Sequence, residues 1–240
     1  MLMDELLTYL FDGKTHFLAA PMATWLASSR RFTAFVNANH TKIRKKLRTA
    51  QEPESLRDLQ LELETAYLLL RETSLSVAYE PQHPREGRSP DFAVSFTTSL
   101  TFMVEVTRLR TIQPRTSPDT PLPGDRFSDM LYGKLGQLLP QRSNVLVIGA
   151  EIRNLTQSDI HAIMLHIQQR AEGNDSTLVQ RYGFQDRADF FRHYERLSGL
   201  LVRGSTPLQA GDLVVLWVNP RAKHPLPAKV RTALTRSHTL

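Results

Sequence analysis

The sequence predicts an α/β protein, with a mixed central sheet flanked by helices and a helical region over residues 1–55 ahead of it. Three observations predict this class. Helical and strand patterns follow one another as helices, then α-β-β-β-α-β, then α-α-β-β, an order that packs helices on a mixed sheet. Residues 89–110, SPDFAVSFTTSLTFMVEVTRLR, hold two alternating apolar runs around a short polar link, the pattern of a hairpin. NVLVIGA at 144–150 is a continuous apolar run of the length of a strand buried on both faces.

Each element has a local cause. Residues 1–50 read as helical, with Phe32, Phe35, Val36, Ile43 and Leu47 at i, i+3 and i+4 spacing. QEPES at 51–55 interrupts that pattern, and Pro53 suits the first turn of the next helix. There Leu56, Leu59, Leu63, Tyr67 and Leu70 form one apolar stripe. LSVAYEP at 75–81 is a short strand, and QHPREGRS leads into the hairpin. The Pro-rich stretch 111–125 reads as an exposed loop, followed by a helix over about 126–139. Thr156 with Asp159 forms a capping box that starts the next helix. A helix over about 186–196 precedes two strands, LSGLLVR and DLVVLWV, with Trp217 in the core. Residues 56–220 thus form the α/β domain, and 221–240 read as a loosely attached basic tail with two prolines.

Composition narrows the function classes. Thirty Lys and Arg against 24 Asp and Glu leave a formal charge of +6, which favours polyanionic partners, nucleic acid (DNA or RNA) first. The densest basic run, KIRKKLR, turns Lys42, Lys45, Lys46 and Arg48 outward from the docking pair Ile43 and Leu47. These four are candidate nucleic-acid-binding residues on a phosphate backbone, or a solubilising helix face. With no Cys, thiolate catalysis, disulfides and Cys-ligated metals are excluded. The N-terminus carries acids where a signal peptide needs basic residues, and no apolar run approaches a membrane span of roughly 18 residues, so a cytoplasmic location without a membrane partner is expected. A homo-oligomer is left open. Walker-type glycine loops, nucleophile elbows and zinc-finger spacings are missing from the sequence.

The hairpin carries the candidate chemistry. Side chains alternate along a strand, so Asp91 lies opposite in face to Phe92, Val94 and Phe96, and Glu105 opposite to Phe102, Val104 and Val106. Joining the apolar faces joins the acidic ones. A register with Phe96 across from Phe102 and Val94 across from Val104 makes Asp91 and Glu105 diagonal neighbours, roughly 5–8 Å apart at Cβ. Two such carboxylates on a buried sheet need a shared proton, a basic partner or a divalent cation, unless both sit in solvent at strand ends. Oxygen donors favour Mg²⁺ or Mn²⁺ over Zn²⁺.

This layout resembles the PD-(D/E)XK, or restriction-endonuclease-like, nuclease superfamily. Pro90-Asp91 is similar to its "PD" element and Glu105-Val106-Thr107 to its "(D/E)-X-K", with thirteen residues between the two acids. The resemblance covers about residues 56–150. It implies a restriction-endonuclease-like core, Mg²⁺ or Mn²⁺ held by Asp91, Glu105 and the Val106 carbonyl, and hydrolysis of phosphodiester bonds in nucleic acid. It also implies an acid from the preceding helix, for which Glu64 is preferred and Glu62 held in reserve, since the two point about 200° apart. Lys134 and Gln137 match the family's Lys or Gln on the helix after the third strand. Thr107 departs from the pattern, standing where the family has its Lys. Lys134 is then the replacement charge; failing that, the fold is an inactive module that binds nucleic acid or a protein. Arg108 and Arg110 fall on the other face of the strand.

Overall fold

The computed structural model describes residues 1–81, 89–97, 100–110, 123–150, 156–173, 181–204, 209 and 212–239, without the side chains of 123–125. His83 and the part of the expected loop over 111–122 lie outside the described residues.

The helical N-terminal region contains α1 (Met3–Phe11), α2 (Ala19–Ser28) and α3 (Arg30–Thr49). Ser29 caps α3 by accepting the Phe32 N–H at 3.2 Å. Pro53 occupies the first turn of α4 (Pro53–Arg71), where its missing N–H costs nothing. Then come β1 (Leu75–Tyr79), β2 (Phe92–Phe96), β3 (Leu100–Leu109), α5 (Pro123–Leu135) and β4 (Asn144–Ala150). The chain continues through α6 (Gln157–Glu172), α7 (Arg187–Tyr194), β5 (Leu197–Arg203), β6 (Val214–Val218) and α8 (Ala228–His238). Thr156 and Asp159 make the capping box at the start of α6 as the sequence predicts.

The six strands form one mixed sheet in the order β1-β2-β3-β4-β5-β6. The pairs β3–β4 and β4–β5 are parallel and the others antiparallel. Every residue of β4 and β5 is buried, as central parallel strands require. Strand alternation divides two cores. Phe92, Val94, Phe102, Val104, Val145, Val147 and Leu201 face α1–α4 and α8. Leu109, Leu146, Ile148, Leu200, Val202 and Trp217 face α5–α7. The N-terminal helices do not stand apart as an appendage: the rings of Phe35, Tyr79 and Phe92 lie 5.6–6.5 Å from one another across the boundary.

Two expectations are corrected. The hairpin register is Val94 with Phe102 and Phe92 with Val104, two residues tighter than the sequence suggested. The link is shorter than five residues, and Thr97 takes a left-handed backbone (φ 54°) to close it. A shift of two keeps every side chain on its expected face. The C-terminal stretch is not a loose tail. Helix α8 packs on α4 and β6, with Val230, Ala233 and Leu234 buried. Its basic residues concealed a helix whose apolar positions are spaced 230, 233, 234.

Truncating Leu234 to Ala should therefore destabilise the whole protein by about 2–4 kcal/mol, the ordinary cost of a buried leucine. Urea unfolding measures it; an unchanged midpoint would show the helix to be dispensable.

Candidate functional site

A cleft of about 440 Å³ opens where β2 begins and β3 runs on past it. Asp58, Glu62, Asp91, Glu105, Val106, Thr107, Arg108, Arg110 and Lys134 are among the residues that line it. Helix α4 supplies Asp58 and Glu62 from one layer, α5 supplies Lys134 from the other, and the hairpin supplies the rest.

Asp91 sits one residue before β2, so continuing the ladder from Phe92 and Val104 sets it across from Glu105. Its Oδ2 accepts the Val106 N–H at 2.7 Å. In an antiparallel strand a residue's N–H and C=O point the same way. Val106 lies beyond the last paired residue of β2, so its carbonyl also opens on the cleft. Removal from water pushes the Asp91 carboxyl up to about 7, aided by the negative charges of Glu62 and Glu105 and opposed by the Val106 N–H and Lys46.

The two flanking acids each hold a lysine. Glu105 Oε1 meets Lys134 Nζ at 2.8 Å. Glu62 Oε1 meets Lys46 Nζ at 2.6 Å and accepts from the Tyr79 hydroxyl at 2.5 Å. Burial would lower the pKa of Lys46, but Glu62 and Glu80 outweigh it and leave it raised. Burial and the Glu62 charge hold the Tyr79 hydroxyl protonated. Arg108 is nearly enclosed and bonded to Glu54 and Asp58, while the exposed Arg110 meets Asp58 at 2.6 Å.

The structure thus brings together Asp91, Glu105, Val106, Thr107 and Lys134. It separates the other sequence candidates. Glu64 is turned away into a buried ion pair with Arg203 of β5, and Glu62 takes the position at the cleft instead. Gln137 lies past the end of α5 and donates to the Gly133 carbonyl at 3.1 Å, away from the cleft lining. The basic run is divided. Lys46 pairs with Glu62 and Glu80 behind the cleft lining, Lys42 reaches the Tyr79 and Glu80 carbonyls at 3.2 and 3.4 Å, and Arg48 pairs with Asp12 at 3.0 Å. Lys45 stays exposed. Sequence reasoning had placed Lys46 on a nucleic-acid-facing surface and given Glu62 second rank. Asp58 and Tyr79 it missed altogether; a signal existed for Lys46, which lies three residues from the docked Ile43.

The oxygen-only donor set suits a hard divalent cation, and the costly Asp91 charge is one such an ion would relieve. Among the described residues no three His, Asp or Glu side chains stand grouped as a ready metal cage. The oxygens that the expected metal ligands bring to the cleft are those of two carboxylates, Asp91 and Glu105, and of Val106.

The class defined by fold and site is an α/β protein with a six-stranded mixed sheet and an acidic cleft at one strand end. No helix among the described residues is long and apolar enough to cross a membrane. Comparison with known proteins found no matching family, no curated relative and no solved structure with a similar fold.

Two outcomes follow from this geometry. Glu64→Gln should cost about 3–5 kcal/mol, because it removes one charge of a buried ion pair, and denaturant melts should show that loss. Asp91, whose pKa is raised in the folded state, stabilises most when protonated. That contribution is complete below about 3.8 and is lost as pH rises through about 7. In EDTA, unfolding free energy should fall over that window for the wild type and stay flatter for Asp91→Asn.

Proposed function

We propose that the protein is a metal-dependent nuclease that hydrolyses phosphodiester bonds in nucleic acid, on a restriction-endonuclease-like core. The observation that carries this reading is that Asp91, set across from Glu105 and bonded to the Val106 N–H, lines one cleft with Glu62, Glu105 and Lys134. Asp91, Glu105 and the Val106 carbonyl would hold Mg²⁺ or Mn²⁺. Such an ion, when bound, supplies Lewis-acid polarisation of a phosphate and acidifies a water.

The chain's own residues do the rest. Lys134 brings a positive charge to the cleft from α5 and takes the place of the lysine that Thr107 lacks. Thr107 offers a hydroxyl to the same cleft. Glu62, held by Lys46 and Tyr79, can accept a water hydrogen bond at the cleft wall. Arg110 presents an exposed guanidinium at the rim, suited to a backbone phosphate. Thr107 also favours a second reading, in which the fold has lost catalysis and binds nucleic acid or a protein, because losing one charged contact to the transition state costs about 10²–10³ in rate.

Purified protein incubated with DNA and with RNA, in Mn²⁺ or EDTA, tests both. Metal-dependent cleavage lost in Asp91→Ala supports the nuclease. Salt-sensitive binding without cleavage, unaltered by Asp91→Ala, supports the module. Neither cleavage nor binding leaves a protein partner. Mn²⁺ should also raise the thermal midpoint more at pH 8 than at pH 5, since at the lower pH it competes with the Asp91 proton.

A further inference from the structure

We propose that Lys134 is a tethered competitor for the cation site, an internal monovalent cation that a divalent ion must displace from Glu105. The inference rests on the metal-binding reading of the cleft and adds how the affinity of that site is set.

The two lysines at the cleft are held differently. Lys46 has carboxylate partners at 2.6 Å (Glu62) and 2.8 Å (Glu80), and its ammonium lies 5.0 Å from the centre of the Tyr79 ring. It is anchored in the wall. Lys134 has a single carboxylate among the described residues, Glu105 at 2.8 Å. It stands in the last turn of α5, one residue before the helix ends, after Gly133. The partner it grips is one of the two carboxylates available to an ion. With both side chains largely out of solvent (22% and 15% exposed), the pair is screened less than a surface contact.

A cation that takes the Glu105 Oε1 held by Lys134 must break this pair, and its apparent affinity falls by the factor that the pair contributes. For a partly buried pair the factor is about three- to tenfold. Once displaced, the ammonium remains at the cleft on its four-carbon stem.

Mn²⁺ titration of the full chain, followed by calorimetry, tests this. Lys134→Met should bind Mn²⁺ about three- to tenfold tighter than the wild type, and Lys134→Arg about as the wild type does. Lys46→Met controls for mere removal of positive charge and should not tighten binding. Acylation mapped by mass spectrometry gives a second readout: labelling of Lys134 should rise on adding Mn²⁺, while that of Lys46 does not. Equal or weaker binding by Lys134→Met, or equal tightening by both Met variants, would overturn the competitor and leave the metal site standing. Absence of Mn²⁺ binding in the wild type and in Lys134→Met alike would overturn the metal-binding reading with it. Binding by Lys134→Met alone would support the competitor in its extreme form.

Discussion

The arrangement of the cleft depends on one carboxylate that the protein keeps at a cost. Asp91 is withdrawn from water beside two other acids, and its charge is opposed by their repulsion. A group in that position is neutralised, paired or relieved by a cation, or it unravels its surroundings. The surrounding residues supply the pairing. The Val106 N–H donates to Asp91 directly, Lys134 covers Glu105, and Lys46 with Tyr79 covers Glu62. Three layers of the fold contribute: α3 and α4 from one face, the hairpin, and α5 from the other.

Helix α4 connects this cleft to a buried ion pair two strands across the sheet. Buried on most of its circumference, it sends Glu62 towards the hairpin and Glu64 towards β5, where Arg203 is wholly enclosed. His238, at the end of α8, is fully buried nearby, and burial with the Arg203 charge pushes its imidazole down to about 3. The C-terminal helix is thus seated against a buried charge pair on the same helix that borders the cleft. Gly149 of β4 permits close packing there: a Cβ at that position would meet the Leu61 side chain at 2.7 Å. Leu61 immediately precedes Glu62, so the approach of α4 to β4 sets the depth at which Glu62 enters the cleft.

Much of this was legible in the sequence where a pattern had one solution. NVLVIGA admitted only a buried strand, and hairpin parity put Asp91 and Glu105 on one face whichever even register was chosen. The choice between Glu62 and Glu64 had no such anchor. Both lie roughly 100° from the centre of the apolar stripe, on opposite sides, so periodicity treats them alike. Only the packing direction of α4 separates them. Lys46 was misplaced because a basic run reads as a solvated face, although the position three from Ile43 borders the docked side. The C-terminal helix was masked by its charge, as Lys229, Arg231 and Arg236 surround a narrow apolar stripe that needs α4 to make sense.

Under the proposed function, charge balance would tie the uptake of a metal ion to that of a nucleic-acid substrate. Among the residues lining it, four are acidic (Asp58, Glu62, Asp91, Glu105) and three are basic (Arg108, Arg110, Lys134), so the lining carries a net charge of −1 with Asp91 ionised and zero with it protonated. Neither state attracts a phosphodiester. A divalent cation would bring the ionised lining to +1, and an anionic backbone would in turn offset the added charge. Uptake of the proposed ion and substrate would then be cooperative by electrostatics alone, and by linkage each would raise the affinity for the other by the same factor. Lys46 lies outside that lining, held by Glu62 and Glu80, so the lysine whose pairing would change with the charge of the lining is Lys134.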